Sequence, residues 1–149
     1  MESYDAEKAA RVWQRVRPGS DGLHAERLQT LLLQTQQLSM TYRTLARQVK
    51  PPYYTALKQL SEQKQAQVDC LRGIYILAVG PCPTPNIPRP KSEPIIVALR
   101  RCFASETQLL TQLELLSAEP AHGPVFATLT EDQKAHCKAI IGLAGQLNR

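Results

Sequence analysis

The stretch LSEQKQAQ at residues 60–67 recurs later in the chain as LTEDQKAH at residues 129–136. Leucine, glutamate and alanine coincide in the two copies, and serine matches threonine. Each copy carries a polar pair three residues apart, Lys64 with Gln67 and Gln133 with His136, and this spacing places both members on one helix face. The repeat therefore predicts a duplicated helical hairpin.

Apolar residues recur in steps of three and four on both sides of these pairs, as on the buried face of a helix. Four such seams can be followed. The first two are Leu28, Leu31, Thr35, Leu38, Tyr42, Leu45, Val49 and Leu57, Leu60, Lys64, Gln67, Leu71, Ile74, Ala78. The other two are Leu99, Cys102, Glu106, Leu109, Leu113, Leu116 and Phe126, Leu129, Gln133, His136, Ile140, Leu143, Leu147. The seams predict an all-α four-helix bundle around one core.

Prolines and glycines divide the chain into segments. We predict one domain over residues 1–149, with a short N-terminal helix within 1–18 and a first helix pair at 21–79. A proline-rich crossover at 80–92 then leads to a second pair at 93–148. Five prolines between residues 81 and 90 exclude a helix there. The short link within each pair predicts antiparallel neighbours.

Local signals set the expected helix ends. Ser20 or Asp21 caps the first long helix, which runs to about Val49. Ser92, followed by Glu93 and Pro94, starts the third long helix. We therefore expect the four long helices at about 20–49, 51–79, 93–119 and 123–147.

Composition and charge narrow the expected environment. Apolar residues make up 43% of the chain and aromatics only 5%, which favours helices over a sheet. The net charge is +5, but the basic residues are scattered, so we expect solvated helix faces and no nucleic-acid surface. No apolar run reaches the roughly 18 residues of a membrane span. We expect a cytoplasmic protein with no membrane partner; a homodimer and an unidentified protein partner are left open.

The four cysteines, Cys70, Cys82, Cys102 and Cys137, show no CxxC spacing. This predicts reduced thiols without a structural zinc site. Cys82 lies in the proline-rich crossover and is expected to be the most exposed thiol. No partner cysteine is near it in sequence, which favours an incidental thiol over a redox role.

The pattern resembles the ferritin-like superfamily, specifically its rubrerythrin-like branch, over residues 21–147. The most specific segments are YRTLA at 42–46, LRGIY at 71–75 and HGPVF at 122–126 with EDQKAHC at 131–137. Members of this branch hold two iron ions in the bundle core. Their ligands are a glutamate from each of two helices and a Glu-x-x-His motif from each of the other two. The cysteine-rich rubredoxin tail of complete rubrerythrins has no counterpart here.

The resemblance implies six former metal-ligand positions in this chain: Thr35, Lys64, Gln67, Glu106, Gln133 and His136. Only Glu106 and His136 keep ligand chemistry, and a lysine stands where a carboxylate is needed. Two metal ions need about four carboxylates to balance their charge, and an ammonium group repels a cation. We therefore expect no di-iron centre.

Without metal ions, the layer formed by these six positions needs another source of stability, because buried polar groups cost free energy unless they are paired. We predict that Lys64 pairs with Glu106 in the core; the alternative is that both charges reach solvent, with the long Lys64 side chain extending along the bundle. The four other positions are expected to complete the hydrogen bonds: Thr35, Gln67, Gln133 and His136. For Tyr42, the resemblance suggests a hydrogen bond into this layer, and a plain core aromatic is the alternative.

Three functions remain open at this level. The expected one is a non-catalytic bundle without a cofactor, with an ion pair in place of metal. The second is a metal-binding oxidoreductase, or a peroxide- or iron-handling protein, in which Glu106 and His136 hold a single iron or other divalent ion. The third is a carrier that uses a residual cavity.

Overall fold

The computed structural model describes residues 20–147, with side chains from residue 25 onward. Over this range it contains four α-helices and no strand: α1 Ser20–Ala46, α2 Pro51–Ala78, α3 Ile95–Leu116 and α4 Gly123–Leu147. The predicted all-α four-helix architecture is confirmed at that level. The predicted N-terminal helix and the capping side chains of Ser20 and Asp21 lie outside the described part.

Three helix ends differ from the expectation by two residues or more, and a proline lies near each of them. One is the end of α3, at Leu116 rather than about Glu119, the residue before Pro120. Helix α1 ends at Ala46 rather than Val49, since Pro51 requires an extended Lys50 (φ −76°, ψ 162°) and the chain must leave the helix first. Helix α3 begins at Ile95, after an extended Pro94 (φ −56°, ψ 142°). No side chain caps α3, so the expected Ser92 cap is wrong.

The end of α2 is set by a glycine. The N–H groups of Val79 and Gly80 both donate to the Tyr75 carbonyl, at 2.7 and 3.1 Å. Gly80 has a φ of +144°, which residues with a Cβ rarely adopt. Pro81 follows and cannot continue the helix, so the chain enters the crossover here.

The predicted seams form the core. Every seam position is buried except Val49, Ala78 and Leu147, which lie at or beyond helix ends and are partly buried. Helix α1 packs most extensively on α2 and α3 on α4, with smaller contacts between α1 and α3 and between α2 and α4. None of the helices in the described range is long and apolar enough to cross a membrane.

Helices α1 and α2 meet through a reciprocal pair of serines. The Ser39 hydroxyl donates to the Ser61 carbonyl at 3.0 Å, and the Ser61 hydroxyl donates to the Ser39 carbonyl at 2.8 Å. Each short side chain thus reaches the backbone of the facing helix, so the two helices are close together at this level. Farther along, Gln29 Nε2 donates to the Tyr75 hydroxyl at 2.8 Å.

Candidate functional site

The bundle places inside its core all six positions that the resemblance assigns to metal ligands. Thr35, Lys64, Gln67, Glu106, Gln133 and His136 are each at most 5% exposed, and Lys64 and Glu106 are fully buried. The Lys64 ammonium, carried by α2, forms an ion pair with Glu106 Oε1 on α3. The structure therefore brings together the two charges that the sequence places on separate seams.

The ammonium group of Lys64 has a full set of acceptors. Besides Glu106 it donates to Gln67 Oε1 at 2.9 Å and to Gln133 Oε1 at 2.7 Å. A protonated lysine has three N–H donors. Three acceptors from three helices saturate them, so the buried charge is fully compensated by side chains.

The carboxylate of Glu106 is engaged on both oxygens. Its Oε1 also accepts from Gln133 Nε2 at 2.6 Å, and its Oε2 accepts from the Tyr42 hydroxyl at 2.7 Å. Gln133 Nε2 lies 2.8 Å from the Glu106 backbone carbonyl as well. Tyr42 on α1 is therefore both a core aromatic and a direct hydrogen-bond donor to this layer, and all four helices contribute to it.

Burial controls the protonation of these groups. Burial lowers the pKa of Lys64, and the neighbouring carboxylate of Glu106 opposes that shift. Burial, followed by the charge of Glu106, raises the pKa of Tyr42 well above its usual value. Tyr42 consequently remains a protonated donor at neutral pH, which matches its hydrogen bond to the carboxylate.

Two of the predicted network members do not join it. Thr35 donates to the Leu31 carbonyl of its own helix at 2.6 Å, a local bond that threonine commonly makes within helices. His136 Nδ1 is buried and has no hydrogen-bond partner among the described residues. The prediction that both complete the ion-pair network is wrong, because the two glutamines already saturate the ammonium.

His136 is held neutral by its surroundings. Burial, with a further contribution from the Lys64 charge, lowers the pKa of His136 from 6.5 to about 3. The imidazole is 4% exposed, so protonating it places a second positive charge in the same buried layer. The free energy of unfolding therefore depends on pH through the protonation of His136.

We expect acid to destabilise the protein through His136. Between pH 6.5 and about 3 the unfolded chain binds a proton that the folded chain excludes, so stability falls as the pH is lowered through this range. The slope contributed by one such group is at most about 1.4 kcal/mol per pH unit. Urea titrations of the wild type and His136→Leu across this range should show a shallower loss for the variant. Parallel curves for the two proteins would contradict the assignment.

The donor set does not fit a di-iron centre. Both oxygens of Glu106 are engaged, and the Lys64 charge lies against them. Within residues 25–147, no three histidine, cysteine, aspartate or glutamate side chains are grouped so that they could hold a metal ion. Four of the six implied ligand positions carry threonine, lysine or glutamine.

Three of the four thiols are held in the protonated form, which is a poor nucleophile. Burial raises the pKa of Cys102 to about 12, and burial also raises the pKa of Cys70 and Cys137. All four cysteines are free. Cys82 is partly buried, like Cys70 and Cys137, and its Sγ lies 3.6 Å from the Pro83 carbonyl.

No protein-family model, curated protein or solved structure matches this chain. The likeness to ferritin-like bundles therefore remains an interpretation of the residues. Sequence reasoning missed the Ser39–Ser61 contact. Both serines directly follow a buried seam leucine, and a search for small residues at that position on neighbouring helices would have found them.

Proposed function

We propose that this chain is a non-catalytic, ferritin-like helical bundle in which a buried ion pair takes the place of the metal site. The observation that carries the proposal is the complete mutual pairing of Lys64, Glu106, Gln67 and Gln133 in the core. Such a bundle acts through its surface, in assembly or in binding, and its interior supplies stability. Four free cysteines suit a reducing, cytoplasmic environment.

The contacts support two antiparallel helix pairs. From Gln29 to Ser39, residue numbers rise along α1 while those of their partners on α2 fall from Tyr75 to Ser61. In the second pair, the short link between α3 and α4 brings Gly123 against the Ser117 carbonyl. This is the arrangement of helix hairpins joined by short loops.

The crossover has the length that this topology needs. Leu31 lies near Leu113, whereas Tyr42 bonds Glu106, so α1 and α3 run in opposite directions and α2 and α3 in the same one. The chain between Ala78 and Ile95 must therefore return along the whole bundle. Its 16 residues, 79–94, can span up to about 55 Å, against about 42 Å for the 28-residue α2.

The state of the polar layer argues against catalysis there. Its charged groups, Lys64 and Glu106, are fully buried and pair with each other, so neither is left facing an open position. A reacting group needs access to its substrate and a vacant partner site. The layer therefore supports a structural role, and Lys64 is the residue that decides it.

Metal content of the purified full-length protein tests this proposal. After expression in iron-supplemented medium, we expect far less than one tightly bound metal ion per chain by elemental analysis. As a comparison, Lys64→Glu removes the cation and adds a carboxylate beside Glu106, so this variant should retain more metal than the wild type. Two strongly bound ions per wild-type chain, about 3.5–4 Å apart, would refute the proposal.

One observation favours the alternative of a single metal ion held by Glu106 and His136. The buried Nδ1 of His136 lacks a partner, as a ligand nitrogen does in the absence of its metal. Against it, the Lys64 charge acts on the imidazole directly. The same elemental analysis separates the two proposals: about one metal ion per chain, lost in His136→Leu, would establish the alternative.

A further inference from the structure

A second polar site lies between α1 and α3, outside the ion-pair layer. There, α1, α3 and the crossover enclose a pocket of about 260 Å³. Two arginines line it, Arg89 from the crossover and Arg101 from α3. None of its described lining residues carries a carboxylate, and the nearby Glu93 compensates only Arg101, so the pocket keeps a net positive charge.

The two arginines have hydrogen-bonding capacity to spare. Arg89 is exposed and makes no hydrogen bond or ion pair with the described residues. Arg101 pairs with Glu93 through Nη1 alone, and a guanidinium group has five N–H donors. Glu93 thus anchors Arg101 beside the pocket and leaves most of its donors available.

Neutral groups of the pocket also lack partners. Ser105 on α3 is partly buried, and its hydroxyl makes no hydrogen bond with the described residues. On α1, Gln34 Oε1 is buried without a partner. Because a simple rotation exchanges the two ends of an amide, Gln34 can turn its N–H₂ group toward a ligand. Unsatisfied buried polar groups cost free energy, which a ligand with matching groups would recover.

The residues that line the pocket suit ligand binding rather than catalysis. Pro88 and Pro90 have fixed φ angles, so the backbone that carries Arg89 is stiff. Leu38 and Cys102 provide an apolar floor. The pKa of the Cys102 thiol is raised to about 12, so the thiol stays protonated and supplies no nucleophile.

We propose that this pocket binds the phosphate group of a small phosphomonoester. Two guanidinium groups supply the positive charge and the N–H donors that a phosphate dianion needs, and arginine forks pair with phosphate oxygens through parallel hydrogen bonds. The Ser105 hydroxyl and the Gln34 amide add neutral donors, and the apolar floor receives the organic part of the ligand. The site is separate from the ion-pair layer, so it stands or falls independently of the proposed function.

Calorimetric titration of the full-length protein with inorganic phosphate and with glycerol 3-phosphate tests the site. We expect saturable binding of the phosphomonoester that Arg89→Gln and Arg101→Gln each weaken roughly tenfold or more, since each removes charge-assisted hydrogen bonds. The matched control is Arg100→Gln, an exposed neighbour outside the pocket with the same change in net charge, which should leave the affinity unchanged. Inorganic phosphate that binds more weakly than the monoester would show that the floor contributes.

A variant that is expected to strengthen binding provides a further test. Glu93→Gln releases Arg101 from its ion pair and removes a nearby negative charge, so phosphate should bind roughly three- to tenfold more tightly. If the Arg101–Glu93 ion pair served only the stability of the fold, Glu93→Gln would not increase the affinity for phosphate. The proposal is overturned if the wild type shows no saturable binding, if Arg89→Gln and Arg101→Gln bind like the wild type, or if Arg100→Gln weakens binding as much as they do.

Discussion

Lys64→Ala should lower the free energy of unfolding by about 3–5 kcal/mol. The substitution removes the cation that faces Glu106 and leaves a fully buried carboxylate with Tyr42 and Gln133 as its remaining donors. A buried charge that has lost its counter-ion pays its desolvation cost without the compensating attraction. Urea unfolding at neutral pH, followed by circular dichroism, measures the loss.

The double variant Lys64→Met with Glu106→Leu should cost much less than either single change, at about 1–3 kcal/mol. It removes both charges together, and the residual cost comes from the Tyr42 hydroxyl and the glutamine amides that lose partners. A double-mutant cycle isolates the coupling. Additive losses in Lys64→Met and Glu106→Leu would show that the two charges do not interact, and this would remove the basis of the proposed function.

Ser39→Leu is expected to destabilise the fold by about 3 kcal/mol. The serine hydroxyl lies 3.0 Å from the Ser61 carbonyl, so a larger side chain at this position must push α2 away from α1. Ser39→Ala keeps the small size and loses only the hydrogen bonds, so its cost should be about 1 kcal/mol. Thermal or urea unfolding of the two variants separates steric from hydrogen-bonding effects.

A leucine elsewhere on α1 provides the control for that experiment. Thr30 lies on the exposed face of the same helix, and its hydroxyl donates only to the Glu26 carbonyl, one turn earlier in that helix. Thr30→Leu should therefore change stability by no more than about 0.5 kcal/mol. A loss in Thr30→Leu as large as that in Ser39→Leu would mean that the helix spacing at Ser39 is not what limits side-chain size.

The fold was largely predictable because one physical signal dominates it. Burial of an apolar stripe repeats every three or four residues along each helix, and the structure buries almost every position so selected. The helix ends were less predictable. Proline restricts the backbone conformation of the residue before it as well as its own. For this reason α1 ends before the extended Lys50, and α3 begins only after Pro94.

The site was most predictable around the buried charges, including the bonds that Gln67 and Gln133 make to them. Two opposite charges on buried seams either pair or both reach solvent, and Lys64 and Glu106 pair. Thr35 could bond within its own helix or across the core at similar cost, and periodicity does not distinguish the two. The pocket around Arg89 could not be foreseen, because the position of an irregular proline-rich segment on the bundle follows from packing rather than from a repeat.

The distribution of charge between the halves of the chain has a consequence for how they recognise each other. If the molecule descends from a duplicated hairpin, each hairpin inherits a surface that fits a copy of itself. Lys64 belongs to the first half and Glu106 to the second. Two first halves would bury two ammonium groups, and two second halves would bury two carboxylates. Only the union of unlike halves leaves the interior neutral, so a single exchange of charge is enough to make self-pairing of either half unfavourable.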